Sequence, residues 1–155
     1  MTDILIHELD AAGLADNLDA LSEILHATVH DGASVGFILP FTRDAAAAFW
    51  TGKIAPALAG GRRHLFIARS AGRAVGTIQL DHDFFPNQAH RAEVAKLLVH
   101  PDFRGRGIAG QLLDVLEDRA RGLGKRLITL DTRSGDTAER LYRRCGYQVA
   151  GEIPH

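Results

Sequence analysis

A glycine-rich loop with two arginines is the stretch of the sequence whose residue types and spacing best suit chemistry. The loop, RGRGIA from Arg104 to Ala109, follows an apolar run at Val94 to Val99 and precedes apolar residues at helical spacing. A strand, a glycine loop and a helix in this order build an anion site, because the first amides of a helix lack intrahelical partners and the helix dipole favours negative charge. Two arginines beside those amides suit a ligand that carries several phosphate charges.

The same glycines also satisfy the literal fingerprint of a dinucleotide-binding fold. Gly105, Gly107 and Gly110 have the spacing G-x-G-x-x-G, and Asp131 ends the next predicted strand about twenty residues on, where a ribose ligand would lie. That fold needs its first glycine directly after the strand, whereas HPDFR intervenes here, and little chain follows Asp131 to complete a doubly wound sheet. A dinucleotide-dependent oxidoreductase is therefore the less favoured alternative.

The loop and its flanks fit a second, longer pattern. Arg104, Gly107 and Ala109 match the pyrophosphate motif Gln/Arg-x-x-Gly-x-Gly/Ala. The preceding LLVHPDFRG and the later LYRRCGY, from Leu141 to Tyr147, match the fourth strand and the LYxxxGF segment of the same pattern. From about His64 to Glu152 the sequence resembles the GNAT superfamily of acyl-CoA-dependent N-acetyltransferases. Within that superfamily, its residues further resemble those of the tabtoxin-resistance-like members.

The resemblance implies a fold and a cosubstrate. The fold would be mixed α/β (α+β), with a central mixed sheet of about six strands, flanked by about four helices and splayed at strands 4 and 5. Residues 1–155 would form a single acetyltransferase domain that uses acetyl-CoA and no metal. In this family the fourth strand bulges and leaves unpaired amides at the thioester. The residues that would hold the cofactor are Leu98, Val99, Arg104, Gly105, Arg106, Gly107, Ile108 and Ala109.

Acetyl transfer from a thioester to an amine needs a neutral amine, a stabilised carbonyl oxygen and a proton for the departing thiolate. Tyr142 matches the tyrosine that many family members place beside the sulfur as general acid, although its apolar helix face equally suits packing. Glu93, at the start of the fourth strand, is the leading candidate for the base, and Asp131, at the end of the fifth, is the second carboxylate. Both could instead be solvated or capping carboxylates, and the sequence does not apportion the roles.

Cys145 raises the alternative of a covalent acetyl-enzyme. No histidine or lysine adjoins it in the sequence to activate the thiol, so we expect a small core residue facing the sheet. We therefore predict direct attack by the primary amine of a small molecule, with a non-catalytic CoA-binding module as a further alternative. Polar and aromatic loop residues are either the acceptor rim or solvated and packing side chains: His30, Asp31, Trp50, Asp81, His82, Asp83, Phe84 and Phe85.

The composition and net charge limit which binding partners and which cellular compartment we expect. The 155 residues have a formal net charge of −1, which gives no general reason to expect nucleic acid or an anionic membrane as partner. The N-terminus does not resemble a signal peptide, and no apolar run reaches the ~20 residues that span a bilayer. One cysteine fits a reducing cytoplasm, and the eight histidines have no zinc-site spacing.

The elements that would position these residues follow from periodicity and turn signals. We predict a strand at Ile4 to Ile6, a helix from Gly13 to Val29, and a helix that Thr42 caps and Pro56 ends or kinks. A hairpin should pair residues 65–68 with 74–80 through a turn at 70–72.

The second half of the chain should contain the central strand, the helix after the glycine loop, and a strand at Leu127 to Leu130. A last helix would begin at a capping pair, Asp136 with Glu139, and end at Gly146, before a final strand from Tyr147 to Ile153. Family members usually have a seventh strand. Either it is lost, the chain continues, or a second subunit lends one, and the last case would make a homodimer.

Overall fold

The computed structural model describes residues 3–33 and 35–154, and these contain one five-stranded sheet. The strands are β1 Ile4–Leu9, β2 Arg63–Ser70, β3 Arg73–Asp81, β4 Arg91–Val99 and β5 Leu127–Thr129. The helices are α1 Ala11–Asp16, α2 Leu18–His30, α3 Arg43–Phe49, α4 Ala55–Ala59, α5 Ile108–Gly122 and α6 Thr137–Arg144. None of these helices is long and apolar enough to cross a membrane.

The sheet runs in sequence order, antiparallel from β1 to β4 and parallel between β4 and β5. The predicted hairpin is confirmed: β2 and β3 are joined through Ala71 and Gly72, whose φ angles of 49° and 81° suit the mirror-image turns that match strand twist. The mixed α/β class is confirmed as well. β4 is therefore a long strand that pairs antiparallel with β3 on one side and parallel with β5 on the other.

Both faces of the sheet are buried, and each supports a separate hydrophobic cluster. Leu65 and Ile67 of β2 point into a cluster with α1, α2 and α3, whereas Phe66 and Ala68 point into a cluster with α5 and α6. This alternation is the period-2 pattern of a strand covered by helices on both sides. The face that packs against α1, α2 and α3 is the helical-pair face. The face that packs against α5 and α6 is the α5 face.

The predicted bulge and splay of the central strands are present. Thr77 lies opposite Leu98 and Gln79 lies opposite Ala95, so β4 has one extra residue at this point, and Lys96 has a φ of 50°. Pairing between β4 and β5 covers only three residues of β4 and ends at Glu93. Beyond Glu93 the two strands separate, and a gap opens between them.

The final strand predicted from Tyr147 to Ile153 is wrong, so the sheet has five strands within the described residues rather than about six. This segment has no strand structure, and Ile153 is 90% exposed. β5 is three residues long and offers too short an edge for a long partner strand. The helices number six over the same residues, because two predicted helices are each divided.

The first division lies at Asn17, which separates α1 from α2 within the helix predicted from Gly13 to Val29. The second lies before Pro56. The helix continues past this residue, but its regular α-helical hydrogen bonding is interrupted just before it. A π-helical turn, Trp50–Ile54, joins α3 to α4, and Pro56 lies in the first turn of α4, where its missing N–H is not needed. The N-cap at Thr42 is confirmed, because its hydroxyl accepts from the Ala45 amide.

Two expectations for the last helix need correction. Asp136 makes no capping bond, because its carboxylate binds Arg133; Glu139 instead accepts from the amide of Gly135 at 2.6 Å. Cys145 is exposed and not in the core, because it lies past the last helical residue and off the apolar face. Gly146, with a φ of 91°, ends the helix as predicted.

Candidate active site

The gap between β4 and β5 opens into a cleft of about 800 Å³. Its walls come from β4, the glycine loop, the start of α5, the exit of β5, α6 and the segment after α2. The residues proposed from sequence that line it are Glu93, Leu98, Val99, Arg104, Gly105, Gly107, Ile108, Ala109, Asp131 and Tyr142. Arg106 is the one residue of that set that does not line the cleft.

The glycine loop presents main-chain groups to one end of the cleft. Gly105 and Gly107 have φ angles of 75° and 76°, which side chains rarely adopt, and Gly107 is the N-cap of α5. A Cβ added at either glycine, or at Gly110, would meet no atom within 4 Å, so open space lies in front of the helix. The first amides of α5 have no intrahelical partner and are available to a phosphate there.

The two arginines of the loop differ in their surroundings. Arg104 lines the cleft and forms an ion pair with Asp31, which follows α2. Arg106 lies on the outer side, where its guanidinium is 4.8 Å from the centre of the Phe103 ring. Arg73 lies 5.0 Å from the same ring. Arg104 is thus the arginine of the loop that lines the cleft, and its charge is paired with Asp31.

β4 contributes main chain as well as side chains. Leu98 is 2% exposed and packs on the helical-pair face, while Val99 packs toward the α5 face. From Val94 to Val99 the edge of β4 that faces β5 has no strand partner within residues 3–33 and 35–154. Unpaired N–H groups on that edge are the donors that a developing oxyanion requires.

Glu93 and Asp131 are two carboxylates that line the cleft, in addition to Asp31 and Asp136, which form ion pairs with Arg104 and Arg133. Glu93 lies opposite Asp81 of β3 and opposite Thr129 of β5. Burial, followed by the charges of Asp131 and Asp81, raises the pKa of Glu93, and nearby Arg91 opposes this rise. Asp81 is held by an ion pair with Arg63 at 2.8 Å. Glu93 has no ion pair within the described part of the chain, so it is free to exchange a proton.

Tyr142 reaches the cleft from the opposite face of the sheet. Its ring is 8% exposed, packs in the α5-face cluster and contacts Tyr147 edge-on at 5.7 Å between centroids. Burial raises the pKa of Tyr142 to about 12, with a smaller effect from Cys145. The hydroxyl therefore stays protonated at neutral pH and can donate a proton. Packing and a chemical role are compatible here, because the ring packs while the residue lines the cleft.

Lys96 lines the cleft, and sequence reasoning missed it. The available signal was a charged residue inside the apolar run VAKLLV, where a buried strand rarely accepts a lysine. Of the rim residues considered from sequence, Asp31 lines the cleft, whereas Trp50 is fully buried in the core and Phe85 is 77% exposed. The residues the structure describes contain no group of three or more His, Cys, Asp or Glu that could hold a metal ion.

Known proteins match both the sequence and this geometry. Residues 37–147 match the Acetyltransferase (GNAT) family. An uncharacterized N-acetyltransferase from the hisH–hisA intergenic region of Azospirillum brasilense is 31% identical over 147 residues, which are 94% of this chain and 83% of that protein. The chain belongs to the GNAT family. Its mainly antiparallel sheet and this membership exclude the dinucleotide-dependent oxidoreductase.

Solved structures show the same fold. YncA, a putative acetyltransferase from Salmonella typhimurium with its cofactor acetyl-CoA, superposes with a TM-score of 0.75 at 25% identity, over 97% of this chain and 83% of that one. The aminoglycoside N-acetyltransferase AAC(6')-Iy in complex with CoA superposes with a TM-score of 0.73 at 19% identity, over 100% and 94% of the two chains. This GNAT protein is an acyl-CoA-dependent N-acetyltransferase, and acetyl-CoA is its cosubstrate.

Proposed function

We propose that this enzyme acetylates the primary amine of a small molecule by direct attack on the thioester. The observation that carries the proposal is the meeting, in one cleft, of a base candidate and an acid candidate from opposite faces of the sheet. Glu93 enters from the helical-pair face and Tyr142 from the α5 face, and the gap between β4 and β5 connects them. A volume of about 800 Å³ lies in the range of small-molecule sites.

The cofactor would be held mainly by main chain. The amides at the start of α5 and the side chain of Arg104 would bind the pyrophosphate, and the unpaired edge of β4 near Leu98 and Val99 would orient the pantetheine and the thioester carbonyl. Bound acetyl-CoA supplies the activated acyl group. Fixing donor and acceptor in line would contribute much of the remaining rate enhancement.

The amine proton would pass to Glu93, directly or through one water molecule. An alkylamine is mostly protonated at neutral pH, so it must lose a proton before it can attack. The raised pKa of Glu93 brings this carboxylate closer to the working pH, which improves a general base. Asp131, on the same side of the cleft, would bind the incoming ammonium group and keep the pKa of Glu93 raised.

Tyr142 would donate its hydroxyl proton to the departing thiolate. No covalent intermediate on Cys145 is needed, because this exposed residue does not line the cleft, and partial desolvation of its thiol and nearby acids raise its pKa. Residues 1–155 would act as one domain, since both helical layers described pack on the same sheet. A homodimer stays a prediction that sedimentation tests.

The deciding experiment is a screen of amines with acetyl-CoA, read out as release of the CoA thiol. At least one small primary amine should give turnover that depends on enzyme concentration. Acetyl-CoA alone should raise the melting temperature, which shows independently that the cleft binds its cosubstrate. Turnover with protein N-termini but with no small amine would contradict the proposed acceptor class.

A further inference from the structure

Lys96 is a cation that the fold holds on the wall of the cleft. It lies in the bulge of β4 with a φ of 50°, in the left-handed region that residues other than glycine rarely adopt. Its half-buried ammonium donates to the main-chain oxygen of Val35. It also faces the rings of Phe37 and Phe49, at 5.3 Å and 5.8 Å from their centroids. These contacts fix the charge in position on the helical-pair face.

No carboxylate compensates this charge. Within residues 3–33 and 35–154, Lys96 has no acidic partner at ion-pair distance, although it lines a cleft that also contains Glu93 and Asp131. Burial lowers the pKa of Lys96, and the charges of Lys53 and Arg63 lower it further. The surroundings of the ammonium are therefore cationic. One of its three N–H groups donates to Val35, and the ammonium makes no other hydrogen bond within the described residues.

The adjoining strand contains a buried polar residue that does not line the cleft. Gln79 is fully buried, its side-chain oxygen accepts from Arg63, and its amide nitrogen has no partner within the described structure. Gln79 pairs across the sheet with Ala95, the residue before Lys96, and Ala95 is part of the cleft wall. Because Gln79 is fully enclosed, its amide would be satisfied by a buried water molecule, and Lys96 is the donor of this region that lines the cleft.

The cleft thus has two oppositely charged parts, both on the helical-pair face. Glu93 and Asp131 form an acidic part suited to an ammonium group, and Lys96 forms a cationic part suited to an anion. We propose that Lys96 determines acceptor specificity by binding a carboxylate, and that the substrates are amino acids or related amines that carry an acid group. The inference deepens the proposed function and rests on it. A zwitterion would place its amine at Glu93 and its carboxylate at Lys96.

The experiment compares each of several amino acids with its own α-amide as acceptor, using thiol release to obtain kcat/KM. Amidation removes the carboxylate and also lowers the pKa of the amine, so amine basicity alone would favour the amide. Wild-type enzyme should prefer the acid on the order of tenfold, since a charge-assisted hydrogen bond is lost with the amide. Lys96→Gln should abolish the preference for the acid and leave the advantage that amine basicity gives the amide, and Lys96→Glu should favour the amide more strongly.

Lys125→Gln is the matched control. Lys125 also donates to a main-chain oxygen, that of Ala89 at 2.8 Å, but does not line this cleft, so its variant should keep the wild-type ratio. A wild-type enzyme without acid preference, or Lys96 variants that keep it, would overturn the inference. If neither Lys96 variant binds acetyl-CoA in a thermal-shift assay, the wild-type ratio alone decides. Absence of turnover with every acid and every amide, in an enzyme that acetylates another small amine, would also overturn the inference, whereas absence of turnover with any small amine would contradict the proposed function itself.

Discussion

The two ends of the cleft are built from different parts of the polypeptide. The end at the glycine loop consists mainly of main-chain groups, supplied by residues 104–110 and by the free edge of β4. The proposed acceptor end consists of side chains, namely Glu93 and Lys96 of β4 and Asp131 of the segment after β5. Main-chain donors depend on φ, ψ and helix position, whereas side-chain groups depend on identity and charge. The two ends should therefore respond differently to substitution.

The acceptor end should be the more sensitive to loss of a single functional group. Glu93→Gln keeps the shape of the side chain and removes the base, so kcat/KM should fall on the order of 1,000-fold at neutral pH. The dissociation constant of acetyl-CoA should change little, because the glycine loop is intact. Steady-state kinetics and a thermal-shift titration measure the two quantities. Glu152→Gln, an exposed position outside the cleft, is the control and should be neutral.

The cofactor end should instead be sensitive to backbone conformation. Gly107→Ala places a Cβ in the open space before α5 at a φ of 76°, which costs about 1–2 kcal/mol of unfolding free energy. Loss of about two charge-assisted hydrogen bonds should weaken acetyl-CoA binding on the order of 100-fold. Gly122 lies in α5 and has no positive φ. Gly122→Ala should therefore raise the free energy of unfolding by about 0.5 kcal/mol and leave the affinity for acetyl-CoA unchanged. Equal affinities for both variants would remove the loop from cofactor binding.

Tyr142 also lines the cleft, and removal of its hydroxyl should have a smaller effect. Tyr142→Phe keeps the buried ring, so the melting temperature should be nearly unchanged, while kcat falls on the order of tenfold. The effect is at the low end for a general acid, because a thiolate with a pKa of about 8–9 leaves without much assistance. Full turnover in this variant would show that Tyr142 is only a packing residue.

The smallest effect concerns the pH profile of the acceptor end. Burial, Asp131 and Asp81 raise the pKa of Glu93, with Arg91 and Arg63 acting in the opposite direction, and the base form exists above that pKa. Activity should therefore fall as the pH drops through this raised value. Asp131→Asn removes a negative charge, so the acidic limb of kcat/KM should move to lower pH by roughly one unit or less. If the acidic limb of kcat/KM disappears in Asp131→Asn but remains in Glu93→Gln, Asp131 would be the base and Glu93 the residue that binds the ammonium group.

The difference between the two ends also explains what the sequence could reveal. The glycine loop was recognisable because its function needs particular residues at fixed spacing in one continuous segment, from Arg104 to Ala109. Glu93 and Tyr142, which were proposed from motif position, both line the cleft. Lys96 was missed because its importance depends on the bulge of β4 and on Phe37 and Phe49, which lie more than 45 residues earlier in the chain.

The other predictions were right where local interactions decide the structure and wrong where distant elements decide it. Strand alternation, the hairpin turn and the helix after Gly107 follow from nearest neighbours along the chain, and these were correctly predicted. The strand predicted from Tyr147 to Ile153 failed because a strand needs a partner edge, and β5 offers only three residues. The exposed position of Cys145 likewise depends on where α6 ends on the sheet.

The sequence alone was enough to predict the glycine loop, its flanking strand and helix, the mixed fold, and one candidate each for the base and the acid. Only the tertiary structure decided that β4 and β5 separate after Glu93, that Glu93 and Tyr142 enter one cleft from opposite faces, and that Lys96 is held there without an acidic partner among the described residues. The reason is physical: loop and strand conformations are local, whereas burial, charge compensation and the meeting of side chains depend on elements distant in the chain.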